Sequence, residues 1–120
     1  MAVAATDDTT IYVANNNWQN GENLFALDMN TGDIKWMIPT TAAIWGALTL
    51  ANGVLFSCSK DGMMRAYEAA TGKELKSWDI GHDAASGVTV SDGVVYASSG
   101  FTGQGSVTRS GARVTAFALP

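Results

Sequence analysis

Leu24-Phe-Ala-Leu-Asp-Met-Asn-Thr-Gly-Asp-Ile-Lys-Trp36 returns as Met64-Arg-Ala-Tyr-Glu-Ala-Ala-Thr-Gly-Lys-Glu-Leu-Lys76, at an offset of 40 residues. Ala26 falls on Ala66, Asp28 on Glu68, Thr31-Gly32 on Thr71-Gly72 and Trp36 on Lys76. A third copy begins at Val114-Thr-Ala-Phe117, where Ala116 and Phe117 continue the register of Ala66 and Tyr67. Each complete stretch reads as a strand running into a tight turn. An acid at Asp28 or Glu68 accepts hydrogen bonds from turn amides, Thr31 and Thr71 do the same, and Gly32 and Gly72 supply positive φ.

Upstream of each copy lies another repeated element. Thr10-Ile-Tyr-Val-Ala14, Val54-Leu-Phe-Ser-Cys58 and Val94-Val-Tyr-Ala-Ser98 read as short strands. Asn52-Gly53 and Asp92-Gly93 precede the last two, and both are strong hairpin dipeptides. Before those turns stand Ala47-Leu-Thr-Leu50 and Gly87-Val-Thr-Val90, with Ala2-Val-Ala-Ala5 as the counterpart in the first copy. No window carries a 3.6-residue period. The count is eleven strands, grouped four, four and three. Four-stranded units repeating every 40 residues or so are the signature of propeller blades. The expectation is an all-β chain, one partial β-propeller domain over 1–120, with antiparallel blades at about 1–40, 41–82 and 83–120. The last blade is incomplete. The expected core is Ile11, Val13, Phe25, Leu27, Trp36, Leu48, Leu55, Tyr67, Leu75, Val88, Val90, Val95 and Phe117.

Composition agrees with this reading and removes several function classes. Hydrophobic residues are 47% of the 120, enough to fill a core, while charged residues are only 15% and Gly numbers 13. Seven basic against eleven acidic residues give a net charge of −4 with no basic run, which speaks against nucleic acid as a partner. No apolar run approaches the roughly 18 residues of a membrane span. Met1–Thr6 is apolar but ends at Asp7-Asp8 without a basic flank, so no signal peptide is read in this chain. The single cysteine, Cys58, rules out an internal disulfide, a cysteine-based zinc site and CxxCH haem attachment within these residues.

Ala26-Leu-Asp-Met-Asn-Thr-Gly-Asp-Ile-Lys-Trp36 resembles the tryptophan-docking motif A-x-D-x-x-T-G-x-x-x-W of quinoprotein (PQQ) dehydrogenase propellers. In that family the tryptophan packs against the next blade and locks the ring. The second copy keeps Ala66, the acid Glu68, Thr71 and Gly72, but has Lys76 at the tryptophan position; Trp78, two residues on, shares that strand face. Gly53–Tyr67 resembles the strand-turn-strand of such blades. Val94–Phe101 with Ala112–Pro120 is similar to the last blade of polyvinyl-alcohol-dehydrogenase-like quinoproteins. The resemblance covers essentially the whole chain and places its motif on the blade scaffold, not in a cofactor pocket. It implies a periplasmic or secreted protein.

Each chemical candidate has a plain structural counterpart. Ser57-Cys-Ser-Lys60 matches S-x-x-K, but that chemistry needs a helix, and these residues run from a strand into the Asp61-Gly62 turn; an ordinary hairpin is the better account. His82 with Asp83 forms an acid–base pair on paper, yet no nucleophile is fixed by spacing, so a loop histidine is expected. Cys58 has no adjacent base and reads as a small core residue. Asn15-Asn-Asn-Trp-Gln-Asn-Gly-Glu22 fails the EF-hand template, with Asn16 and Trp18 at the wrong places, and is expected to be a long hairpin loop. The resemblance puts Trp45 near the propeller axis, where aromatic residues of quinoproteins face the quinone; packing between blades is the competing account.

Two functions follow. One is the C-terminal segment of a quinoprotein alcohol dehydrogenase, which oxidises an alcohol through PQQ held with calcium. Such a segment is expected to be inactive alone and to bind no cofactor by itself. The alternative is a non-catalytic propeller that serves as a protein-interaction scaffold. Propellers use about four to eight blades, so three call either for the remainder of a parent chain or for a homo-oligomer that completes the ring. Far-ultraviolet circular dichroism should give a β spectrum with negligible helix; a substantial helical signal would contradict the strand assignment.

Overall fold

The computed structural model describes residues 4–17, 21–40, 42–44, 46–81, 87–99 and 113–118. All of its regular structure is β. The strands are β1 (Ala5–Thr6), β2 (Thr10–Asn17), β3 (Gly21–Asp28), β4 (Ile34–Thr40), β5 (Thr49–Ala51), β6 (Val54–Cys58), β7 (Met63–Glu68), β8 (Glu74–Asp79), β9 (Val88–Ser91), β10 (Val94–Ser99) and β11 (Arg113–Ala118). They form sheets β1-β2-β3-β4, β5-β6-β7-β8 and β9-β10-β11, each an antiparallel meander in sequence order. The grouping of four, four and three matches the repeat.

Turn chemistry explains the meander. Asn52 and Gly53 have φ of 49° and 77°, and Asp92 and Gly93 have 49° and 76°. Two successive positive-φ residues make the type I′ turn whose twist suits a two-residue hairpin. The first strands of the sheets adjoin, β1 against β5 and β5 against β9. Across the second of these contacts the Thr49 hydroxyl donates to the Val88 carbonyl at 2.8 Å. A Cβ on Gly87 would sit 2.9 Å from the Ala47 carbonyl oxygen, so glycine there lets two backbones meet.

The core lies in the two seams between sheets. In the first, Tyr12, Leu24 and Ala26 pack with Leu55, Tyr67, Ala69 and the connecting residues Ile44 and Leu48. In the second, Phe56, Cys58, Met64 and Ala66 pack with Val88, Val95, Ala97 and the connecting residue Ile80. Of the expected core, Leu48, Leu55, Tyr67, Val88 and Val95 are buried, and Trp36, Val90 and Phe117 are partly buried against it. Ile11, Val13, Phe25 and Leu27 are only half-buried. Ile11 pairs with Leu27 and Val13 with Phe25, on the face of the first sheet turned away from the second.

Two expectations are corrected. Leu75 is 51% exposed instead of buried. Ala66 pairs with Lys76 and Tyr67 with Glu74, so Leu75 is the extra residue of a β-bulge, and strand alternation no longer predicts its side. The same bulge occurs at the matching place in the first sheet, between Ala26 and Leu27. The long loop expected over Asn15–Glu22 is mostly strand: Asn15 pairs with Asn23, Asn16 with Glu22 and Asn17 with Gly21. A backbone ladder continues regardless of polar side chains, and that is why an asparagine run misled. Trp18 lies outside the described residues.

The turn glycines give a direct test. Gly32 and Gly72 have nearly equal φ, 78° and 79°, but only Gly72 faces a neighbour: an added Cβ would be 2.7 Å from Trp36 Cε3. Gly32→Ala should cost about 1 kcal/mol for the left-handed backbone alone, and Gly72→Ala about 3 kcal/mol because the ring must also move. Denaturant midpoints of the two variants measure the difference.

Candidate functional site

Trp36 on β4 spans the first seam. Its Nε1–H donates to the Ala69 carbonyl at 2.8 Å. The same ring covers the Gly72 backbone so closely that no side chain fits there. Tyr12 supports it from within the sheet, with centroids 6.1 Å apart and planes tilted by 41°. The turn receiving the indole is held by its own polar groups. The Glu68 carbonyl accepts from the Gly72 amide at 2.8 Å, and the Thr71 hydroxyl donates to the Glu68 carboxylate at 2.6 Å. The equivalent turn in the first sheet has the shorter acid reach the backbone directly. Asp28 Oδ1 accepts from the Asn30 and Thr31 amides at 2.8 and 3.1 Å, and the Thr31 hydroxyl accepts from Asp33 N at 3.2 Å. Those amides, Asn30 first, lower the Asp28 pKa below the ordinary carboxylate value. The structure thus brings Ala26, Trp36, Ala69 and Gly72 together across the seam, while Asp28, Thr31 and Gly32 shape the turn of the first sheet.

The second seam repeats the framework with different filling. Lys76 pairs with Ala66 as Trp36 pairs with Ala26. Its Nζ lies 5.3 Å from the centroid of the Trp78 ring, a cation–π distance. Trp78 in turn packs on Phe117 of the third sheet, with centroids 5.5 Å apart.

Sequence reading missed one cluster. Arg65 makes a 2.6 Å ion pair from Nη2 to Asp61 Oδ2, donates to Ser59 Oγ at 3.2 Å and stands 3.5 Å from Glu74. Asp61, mainly through its hydrogen bond, raises the pKa of the guanidinium further. Arg65 borders a cavity of about 300 Å³ between the first two sheets, alongside Tyr67 and Thr40. Two carboxylates offset its charge, so it is a poor anion receptor. Partly exposed pairs of this kind contribute about 1 kcal/mol or less. The available signal is an acid in the tight turn, Asp61, and a base on the strand that leaves it, Arg65, four residues apart.

Ser57 is wholly buried, and its Oγ has no hydrogen-bond partner. Ser57 lies on β6 and Lys60 in the turn that follows, so the S-x-x-K string sits on a strand and hairpin turn and not on the helix that chemistry needs. Cys58 is wholly buried, and desolvation pushes its thiol up to about 12. Among the described residues no group of three or more His, Cys, Asp or Glu is placed to hold a metal ion. Trp45 and His82 lie outside the described residues.

A model of the family described as outer membrane protein assembly factor BamB matches residues 1–117. Polyvinylalcohol dehydrogenase of Sphingopyxis sp. (strain 113P3) is 30% identical over 136 residues, covering 85% of this chain and 21% of its own length. The lanthanide-dependent methanol dehydrogenase of Methylorubrum extorquens is 41% identical over 54 residues, 44% of this chain and 9% of that protein. The chain thus spans about a fifth or less of these relatives. Among solved structures, a europium-containing methanol dehydrogenase superposes with a TM-score of 0.78 at 22% identity, over 99% of this chain and 23% of its own. BamB from Moraxella catarrhalis superposes with 0.69 at 13% identity, over 81% of this chain and 30% of its own. At such identities the two structures establish the fold.

Trp36→Phe keeps most of the apolar area but leaves the Ala69 carbonyl without its donor, and should cost about 1–2 kcal/mol. Trp36→Ala should cost about 3 kcal/mol or more; equal losses would mean that the hydrogen bond, not the ring, carries the contact. Cys58 should resist a disulfide-exchange reagent at pH 8 until the protein unfolds, since burial keeps it a neutral thiol far above that pH.

Proposed function

The chain belongs to the PQQ-like propeller-repeat family, and on that premise we propose that it is a segment of the propeller of a quinoprotein alcohol dehydrogenase. The observation that carries this reading is the 30% identity to a polyvinylalcohol dehydrogenase across 85% of the chain. The segment is a C-terminal one of blades at about 1–40, 41–82 and 83–120, in a parent that is periplasmic or secreted. Its own work is structural. Trp36 acts as the docking residue that fixes one blade on the next, with Ala26, Asp28, Thr31 and Gly32, and their partners Ala66, Glu68, Thr71 and Gly72, as the scaffold of the two turns. By family resemblance alone, Trp45 is the residue proposed to face PQQ, which the parent would hold with calcium.

The outer faces support the view that more blades adjoin this segment. Ile34 and Met37 are 58% and 53% exposed on the first sheet, and Tyr96 and Val114 are 43% and 73% exposed on the third. Apolar side chains of that size call for cover. The remainder of a parent chain provides it most simply; a second copy closing the ring is the other way. A non-catalytic scaffold like BamB is the second reading, favoured by the family model and by the likeness to a BamB structure.

The purified 120-residue chain should bind PQQ weakly or not at all, with or without calcium, because a site on a propeller axis draws groups from the whole circle. Submicromolar PQQ binding with alcohol oxidation would overturn the structural role. Light scattering separates the two covers: a stable species at monomer mass ends ring closure by a second copy, and a discrete dimer supports it.

A further inference from the structure

A side-chain carboxamide or carboxyl is open to attack by the backbone nitrogen of the next residue only where that nitrogen is free and the chain around it can turn. The fold closes most such places. After Asp28 and Asn30 the next amide is already a donor, Met29 to the Thr9 carbonyl at 2.9 Å and Thr31 to Asp28 Oδ1 at 3.1 Å. The same holds after Asp61 and Asp79, where Gly62 donates to the Ser59 carbonyl at 3.2 Å and Ile80 to the Gly62 carbonyl at 2.8 Å. Asn15, Asn16, Asn17 and Asn23 lie in the β2–β3 ladder. Asn52 differs. With Gly53 it forms the loop of the β5–β6 hairpin, closed by the Ala51–Val54 pair, and both residues are exposed. Neither the Asn52 carboxamide nor the Gly53 amide is hydrogen-bonded among the described residues. A Cβ on Gly53 would meet nothing within 4 Å, so the nitrogen is open to approach. The corresponding turn of the first sheet, Asp7–Thr9, is exposed with the next sheet in place, so the exposure belongs to the turn itself.

We propose that Asn52 is a self-modification site, at which the chain converts asparagine to aspartate and isoaspartate without an enzyme. Loss of the Gly53 amide proton to hydroxide frees the nitrogen to attack Cγ of Asn52. The N–Cγ bond forms, the Cγ–Nδ2 bond breaks, and ammonia leaves with a proton from water, giving a five-membered imide and returning the hydroxide. Water then opens the imide. Cleavage of N–Cγ leaves aspartate on an unchanged backbone, while cleavage at the Asn52 carbonyl carbon routes the main chain through Cβ. Loops of this kind open locally without unfolding their strands, which lets the Asn52 backbone reach the ring-closing geometry. The third sheet shows what each product does. Asp92-Gly93 has φ of 49° and 76°, against 49° and 77° at Asn52-Gly53, so aspartate fits the turn as built. Isoaspartate adds an atom to the main chain of a two-residue type I′ loop, which breaks the match of twist on which the Ala51–Val54 pair depends. The modification lies on the blade scaffold and is independent of the dehydrogenase reading.

The purified 120-residue chain, incubated at neutral and mildly alkaline pH and then mapped by digestion and mass spectrometry, tests this. The peptide holding Asn52 should gain the mass of an amide-to-acid change, and faster at the higher pH, because the nucleophile is the deprotonated nitrogen. It should lead the Asn30 peptide by about tenfold or more, since freeing the Thr31 amide from its hydrogen bond alone accounts for up to that factor. Part of the product should accept a methyl group from S-adenosylmethionine through an isoaspartyl methyltransferase, which marks the β-linked form. Asn20-Gly21 falls outside the described turn, and the map resolves it from Asn52. Asn52→Asp should keep the β spectrum of the parent and show no mass gain at this peptide. Asn52→Gln, whose longer side chain closes a six-membered ring far more slowly, should also lose the gain, so the control survives if one variant misfolds. No gain at Asn52 in the folded chain, a gain seen only in urea, equal rates at Asn52 and Asn30, or a rate indifferent to pH would each overturn the proposal.

Discussion

The seat of the Trp36 indole on the turn of the next sheet is the contact on which the rest of the arrangement depends. A four-stranded sheet with apolar residues on both faces cannot be buried by one neighbour alone, so each sheet must stack between two others. The indole fixes how that stacking is spaced. It needs a residue without a side chain under it, supplied by Gly72, and a free carbonyl for its N–H, supplied by Ala69. Both come from one turn, and the hydrogen bonds of Thr71 and Glu68 hold that turn in place. A single side chain therefore reads the geometry of a whole neighbouring hairpin.

The two seams show what happens when that side chain changes. With tryptophan, the gap at the outer part of the seam is filled by a ring and one hydrogen bond. With lysine, the core nearer the first strands still closes, through Phe56, Met64, Ala66, Val88 and Val95. The outer part keeps a cavity, and aromatic contact moves two residues along to Trp78 on Phe117. The inner contacts thus suffice to stack the sheets, and the docking position is free to vary. Polar interactions add little by comparison. The Arg65 pairs are partly exposed, while each buried Leu, Phe or Met contributes about 1.5–3 kcal/mol by leaving water.

Much of the molecule was legible because the repeat is written in residues with local consequences. Asn52-Gly53 and Asp92-Gly93 demand type I′ hairpins wherever they occur, and Thr-Gly after an acid demands its own turn. Strand count, meander order and the incomplete third sheet followed from these. The misreadings have physical causes as well. Its strand position marks Leu75 as core, and a one-residue bulge turns it to the surface. Ile11, Val13, Phe25 and Leu27 look like core in the sequence because both faces of such a sheet are apolar, but three sheets cover only one face of the first. Buried residues passed over, such as Ile44 and Ile80, lie between sheets, where no strand period marks them. The Arg65 cluster is hard to read from sequence because an acid in a hairpin turn followed by a base on the next strand looks the same as a solvated turn.

The sequence by itself determined the local architecture: which segments are strands, where they turn, and that the unit repeats three times. Turn type and alternation depend on φ preferences and side-chain size, and these belong to each residue wherever it sits. It also carried the family, since the motif is a short contiguous string. Only the tertiary structure decided which face of each sheet is core, that the Trp36 ring meets Gly72 and the Ala69 carbonyl, that Arg65 lies between two acids, and that Lys76 and Trp78 border a cavity in the second seam. Those facts depend on distances between residues far apart in the chain. Such distances arise from the stacking of sheets, in which many weak apolar contacts act together and none is encoded at a single position.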